Sequence, residues 1–329
     1  QLRPGITLSA EQVAALTSDI VWLEAQTVTL PDGRTTQALV PRVYLLPRAG
    51  DLQTGGALLA GSQVHLQLTG DLINSGQIAG RELVHINTQN VVNTGLITGQ
   101  SALVSAREDV NNIGGTLSAT DALVVQAGRD LNVKTTTAQG SGAAGVGRYI
   151  SEQVSRVAGL YVSNEAGVLL ASAGRDVNLN AGEASYQIDH GMFAKSSGLL
   201  SSSSTETRTH NSRTDAVGTA LGGASVVIQS GQDIHLQGSS AVADEAITIS
   251  AARDVNITAA QTRSGHSRFE ETKESGVFSG SGMGVTIGKR MQSTEQQTQG
   301  TGAAASTVGA IAGDVNITAG QTYRQTGSD

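Results

Sequence analysis

The sequence contains no cysteine, so disulfides and thiolate metal sites are excluded. It has 4 prolines and an aromatic content of 3%. Its core must therefore be built from Val, Ile, Leu and Ala, and its turns from Gly, Asn and Asp. No apolar run approaches the roughly 18–20 residues of a membrane-spanning helix. The formal net charge is −7, which argues against binding a nucleic-acid backbone. No basic-then-apolar segment opens the chain, and its first residue is Gln1. It reads as an internal segment of something larger.

One phrase recurs. SAGRDVNLNAG at 172–182 has close variants in QAGRDLNVK (126–134), QSGQDIHLQ (229–237), SAARDVNIT (250–258) and IAGDVNITAG (311–320). A catalytic motif normally occurs once in a chain, whereas a structural unit repeats. Aligned on their acidic position, the phrases run Asp51, Asp71, Asn90, Asp109 and Asp130, in steps of 20, 19, 19 and 21, and Asp233 to Asp254 is again 21. Longer gaps follow Asp130, Asp176 and Asp254 (next acid Asp314) and mark insertions at about 135–165, 183–222 and 260–305.

Each unit alternates apolar and polar residues with a period of two, as in Val177/Leu179, Leu131/Val133, Val255/Ile257 and Val315/Ile317. A second apolar phrase precedes each acid, for example LVHIN at 83–87 and AITISA at 246–251. Two or three short strands per unit of about 20 residues make one coil of a solenoid. The fold class expected is all-β, a right-handed parallel β-helix in which like aliphatic residues stack from coil to coil. The domains expected are a leader, 1–48, and the β-helix with insertions, 49–329. In the leader, SAEQVAAL (9–16) reads as a short helix with Ser9 as N-cap and Gln12 as its capping-box partner. A hairpin around Pro31–Asp32–Gly33 follows, and the segment is expected to cover the first coil.

The insertions admit two readings. In the second and third, two polar arms flank a Gly/Ser-rich apolar stretch, as in long hairpins projecting from the solenoid. Alternatively they are loops packed along its flank, as most surface loops are. Tyr149–Val157 in the first reads as a short helix. The stretch SGVFSGSGMGVTIG (275–288) has no charge, and Met283, Val285 and Ile287 alternate with Gly284, Thr286 and Gly288. Val277, Phe278, Met283, Val285 and Ile287 are the candidate residues for contact with a membrane or partner.

Candidate chemistry is sparse. GSGAAG (140–145) fits GxGxxG, but coil strands follow it and not a βαβ unit, so dinucleotide binding lacks its context. His65 and His85 lie one coil apart and read as an exposed stacked pair, because a metal needs three or four ligands. The recurring Asp residues read as turn residues bonding their own backbone. Asn111, Asn132, Asn178, Asn256 and Asn316 read as an outward amide ladder. No cofactor, metal or catalytic residue is expected, and the chain is expected not to be an enzyme.

These phrases resemble the haemagglutinin repeats of the filamentous haemagglutinin family, notably AGRDVNL, SAARDVNIT, GDLINSGQIAG and QNVVNTGLITG, with the KSSGLL and SGVFSGSGMGVTIGK insertions. The leader LTSDIVWLEAQTVTLPDGRTTQALVPRVYL is similar to the segment that introduces the second repeat region of contact-dependent growth inhibition exoproteins. The resemblance implies a piece of a very large two-partner-secretion exoprotein, forming a β-helical filament on a Gram-negative cell surface. Its implied partners are other segments of the filament, a target-cell outer membrane or surface receptor, and an outer-membrane secretion barrel reached through a domain this sequence lacks. A toxin domain and a VENN motif are also lacking. Two functions follow from the resemblance: translocation of a toxin across a target outer membrane, or adhesion to host or bacterial receptors.

Overall fold

The structure, a computed structural model, describes residues 20–29, 35–44, 57–144, 147–198, 201–279 and 285–327. The chain divides into two compact units, 1–55 and 56–329. In the first, Ile20–Thr29 and Thr35–Tyr44 pair as an antiparallel hairpin, with Ile20 opposite Tyr44 and Thr29 opposite Thr35. The proposed helix at 9–16 lies outside the described residues.

The second unit is the repeat. Each coil contributes one short strand, such as Val110–Ile113, and one long strand, such as Thr116–Ala127. The short strands form an eight-stranded sheet and the long strands a ten-stranded one, both parallel from coil to coil. The long strand turns a corner midway, where the register shifts at Gly61/Gln63, Gly80/Leu83, Gly99/Ser101 and Gly223/Ser225. Glycine is required where coils approach most closely. A Cβ on Gly95 would lie 2.0 Å from the Gly76 carbonyl oxygen one coil below. Gly238 combines φ +56° with a virtual Cβ 2.5 Å from the Ala260 Cβ, a conformation that costs any L side chain dearly. The result is the parallel β-helix, and the described residues contain no helix.

Stacking places like on like. Ile78, Ile97, Leu117, Leu160 and Leu221 are successive register partners, as are Val91, Val110, Leu131, Val177, Ile234 and Val255. All are buried, most of them completely. Each such side chain contributes about 1.5–3 kcal/mol over leaving it in water. One interior ladder is polar. Asn74 donates to Asn93 Oδ1 at 2.8 Å, Asn93 to Asn112 Oδ1 at 2.8 Å, and Asn112 to the Gly115 carbonyl at 2.8 Å. Above Asn112 the same column becomes Val133, Leu179, Leu236 and Ile257.

The acidic positions bond differently from the expectation. Their carboxylates reach the next coil and not their own turn. Asp109 Oδ1 accepts the Asp130 N–H, Asp130 the Asp176 N–H, Asp176 the Asp233 N–H, and Asp233 the Asp254 N–H, at 3.1–3.4 Å. Each arginine reaches back one coil: Arg129 donates to both Asp109 oxygens, Arg175 to Asp130 and Arg253 to Asp233. Such bidentate pairing is specific in geometry. It holds the Asp109 and Asp233 carboxyls below their ordinary value of 3.8.

Two further expectations are corrected. Asp254 Oδ1 accepts the N–H of Thr322, not Asp314. Val315–Ala319 pairs with Ile247–Ala251 in the long-strand sheet, and Tyr323–Thr326 takes the place after Val255–Thr258. The outward amide ladder therefore runs Asn111, Asn132, Asn178, with Asn132 donating to Asn111 and Asn178 to Asn132, both at 2.9 Å. It then meets His235 in register, followed by Asn256 and Arg324, while Asn316 faces Thr248 elsewhere. Likewise, Tyr149–Val157 is not helical. Gly147–Arg156 is a strand paired on both sides, to Thr136–Ala144 and to 185–190.

Candidate functional site

The three insertions are antiparallel hairpins that join edge to edge. The first is Thr136–Ala144 with Gly147–Arg156, the second Gly182–Ser197 with Ser201–Val217, and the third Ala260–Ser279 with Val285–Ala304. In chain order they form one six-stranded sheet. The second and third insertions are thus the long hairpins expected and not flank-packed loops, and they additionally join edge to edge. From 183 to 217 and from 261 to 304 no described residue is buried, so this is a single layer with water on both faces.

Such a layer is held by cross-strand pairs. Ser202 and Ser275 hydroxyls lie 2.7 Å apart, and those of Thr205 and Thr272 3.3 Å. His210 Nδ1 meets Asp189 at 2.6 Å, His266 Nδ1 meets Asn211 at 2.6 Å, and the Arg208 guanidinium lies 5.9 Å from the Phe269 ring centre. Charge sits on both faces of the third hairpin. Arg268, Glu270 and Glu274 alternate with Glu271 and Lys273 along one strand, and neighbours in a strand face opposite ways. The arms are thus not lipid-facing strands.

The tip differs. Val277 is in register with Ile287, Phe278 with Thr286, and Ser279 with Val285. Val277 and Ile287 are exposed, Ile287 at 81%, and share one face because opposed residues do. Met283 lies outside the described residues. From Ser275 to Gly288 no residue is charged. The rows immediately below hold Lys289, Arg290, Lys273 and Lys195 against Glu274, a cationic band in a chain of net charge −7. Each arm of this hairpin has 20 residues, about 65 Å at ~3.3 Å per residue. Its uncharged paired rows rise only ~14 Å, half of a ~30 Å hydrocarbon core.

The remaining motifs fall into place. Gly140 and Gly142 of the GSGAAG stretch lie in an edge strand, with the Tyr149 ring 2.8 Å from where a Gly142 Cβ would be. Gly145 lies outside the described residues, and the two glycines that are described sit in a strand and not in a phosphate-cradling loop. His65 and His85 stack edge to face with ring centres 5.8 Å apart. Among the described residues no three His, Asp or Glu are grouped to hold a metal, and no helix is long and apolar enough to cross a membrane. Sequence reasoning missed the interior Asn ladder, whose signal was Asn74, Asn93 and Asn112 recurring at steps of 19.

The hemagglutinin repeat family matches residues 200–329, which contain the third hairpin and the coils flanking it. A "tRNA nuclease CdiA" of Escherichia coli (strain STEC_O31) is 31% identical over 297 residues, covering 83% of this chain and 9% of the relative. A "16S rRNA endonuclease CdiA" of Enterobacter cloacae is 26% identical over 489 aligned residues, covering all of this chain and 14% of the relative. "tRNA nuclease CdiA-2" of Burkholderia pseudomallei (strain 1026b) is 29% identical over 216 residues, 66% of this chain and 6% of the relative. The chain thus spans about a tenth of the length of these curated relatives. No solved structure matches it. Repeating coils with laddered aliphatic interiors, a hemagglutinin-repeat match over 200–329 and similarity to CdiA proteins along the chain settle the family: the chain belongs to the filamentous haemagglutinin and contact-dependent growth inhibition exoproteins.

Proposed function

We propose that this chain is a β-helical filament segment of a large exoprotein secreted to the surface of a Gram-negative bacterium, and that its hairpin sheet engages a target outer membrane during contact-dependent toxin delivery. The coils are scaffold in this reading, and the segment itself performs no catalysis. Other filament segments are its standing partners. A secretion barrel would act through a domain elsewhere in the polypeptide.

The observation that carries the reading is the charge-free tip at 275–288 above a cationic band. Apolar groups placed at Val277 and Ile287 gain by leaving water. Lys289, Arg290, Lys273 and Lys195 can keep their heads in a layer of anionic headgroups while their stems follow the tip. The charged arms then stay outside the hydrocarbon. One hairpin of this depth enters a single leaflet and does not span it.

The test is a full exoprotein carrying Val277→Asp and Ile287→Asp together. Surface display and attachment to target cells should persist while target killing falls by more than about tenfold, since charge in hydrocarbon costs several kcal/mol. Unchanged killing would refute the membrane role. Lost attachment with intact display would instead favour adhesion to a receptor.

A further inference from the structure

The strand Val285–Ala304 closes the hairpin sheet, and among the described residues it pairs on one side only. Exposed strand edges are normally guarded by bulges, prolines, shortness or closely spaced charge. The opposite edge, Thr136–Ala144, follows this rule: it is 9 residues long and breaks register at Thr136/Thr137. The Val285–Ala304 edge has 20 residues in unbroken register, no proline, and only Lys289, Arg290 and Glu295 as charges. Its exposed side chains are mostly Gln, Ser and Thr.

We infer that this edge pairs antiparallel with the same edge of a second copy of the chain, in the register that places Gln292 opposite Gln292 and Lys289 opposite Glu295. Two constraints select the register. A two-fold axis normal to the sheet keeps each face continuous, so odd-numbered residues must oppose odd and even must oppose even. Lys289 and Glu295 are both odd and share a face. Only the Gln292-centred register pairs them, and symmetry makes the pair twice. Neither residue is engaged in an ion pair among the described residues. A Glu295-centred register would oppose like charges, as would one centred on Arg290. In the chosen register Val285–Gln299 is covered from end to end, and the Gln292 amides meet at the centre, where side-chain amides stack well.

A head-to-tail alternative, Val285–Ala304 of one copy against Thr136–Ala144 of the next, has the right strand direction. However, the coils at 57–135 precede the first hairpin along the solenoid axis and would collide with the neighbour's last coils. The two-fold arrangement avoids this by placing the two solenoids at opposite ends of a joint sheet. Membrane contact by the tip and pairing of this edge are separate properties, and either can fail alone.

Because the chain has no cysteine, one introduced thiol reports the register. Gln292→Cys should crosslink to itself on mild oxidation or with a short bismaleimide. Gln296→Cys should not, since its two copies would sit eight rises apart, ~27 Å. In sedimentation, the unmodified chain should show a concentration-dependent dimer. Lys289→Glu and Glu295→Lys should each weaken it by about tenfold, as each replaces two attractive cross-strand pairs with repulsive ones. Combining the two swaps should restore it. Far-UV circular dichroism checks that the variants fold. A monomer at every concentration, equal crosslinking at 292 and 296, or a dimer indifferent to both single swaps would overturn the proposal.

Discussion

The coils and the hairpin sheet use the same strand geometry and solve the problem of stability in opposite ways. The coils run parallel, with columns such as Leu117–Leu160–Leu221 sealed from water. The hairpin sheet runs antiparallel and, over 183–217 and 261–304, buries no described residue. The first gains from removing apolar surface, 1.5–3 kcal/mol for each large side chain by the usual rough measure. The second has only cross-strand pairs of about 0.2–1 kcal/mol each. A rigid rod thus presents a thin, locally weak sheet, and segments that bind or rearrange are drawn from that weak end of a structure.

Three measurements break or sharpen the contrast. The largest effect is expected at Leu131→Ala, which empties a fully buried position between Val110 and Val177. Global stability should fall by about 2–5 kcal/mol in denaturant unfolding, with the hairpins released along with the coils.

The charge ladder should give an intermediate effect, and it depends on pH. Asp109 and Asp233 are held below 3.8 when folded, chiefly by the facing Arg129 and Arg253. Their contribution is therefore complete above 3.8 and is lost as the pH falls through the lower folded value. The carboxylates are mostly covered but each arginine is about half exposed, so solvent screening keeps the contribution of each pair modest. The melting temperature should hold from neutral pH down to about 4 and then decline. Asp109→Asn should flatten part of that decline; an unaltered acid slope would show that other carboxylates control it.

The smallest effect is expected at Ser202→Ala, which removes the 2.7 Å contact to Ser275. Global unfolding should move by less than about 0.5 kcal/mol, while amide exchange in the distal rows of the third hairpin quickens. A global loss rivalling that of Leu131→Ala would abolish the distinction between the two regions.

The solenoid was legible because stacking demands the same residue type at the same height in successive coils, so Asp109, Asp130, Asp176 and Asp233 announce themselves. The last repeat was not. Val315–Asn316–Ile317 and Ile247–Thr248–Ile249 carry the same alternation, and alternation cannot tell one side of a coil from another. The strand Gly147–Arg156 was hidden for a related reason. Its apolar residues at 150, 154 and 157 match a helical spacing, but partners on both sides, Gly142 and Ile188 against Tyr149, decide for strand. The pairing of the hairpins with one another left no trace in a single sequence, since Ser and Thr tracts have no period and Ser202 meets Ser275 across 73 residues. The tip at Val277 and Ile287 was legible as uncharged. Its cationic band was not, because Lys195 and Lys273 come together only through the sheet.

The backward reach of Arg129, Arg175 and Arg253 gives the rod a direction of assembly. Each of these three coils finds its ion-pair partner, and the acceptor for its acid's N–H, on the coil made before it. Its own carboxylate waits for the coil to come. For a polypeptide emerging amino end first, each of these ion pairs can close as soon as its arginine appears, while short-strand N–H groups such as those of Val110 and Leu131 wait for the carbonyls of Asp130 and Asp176 on the next coil. The advancing face always shows a hydrated carboxylate, which water satisfies at little cost while the next turn arrives.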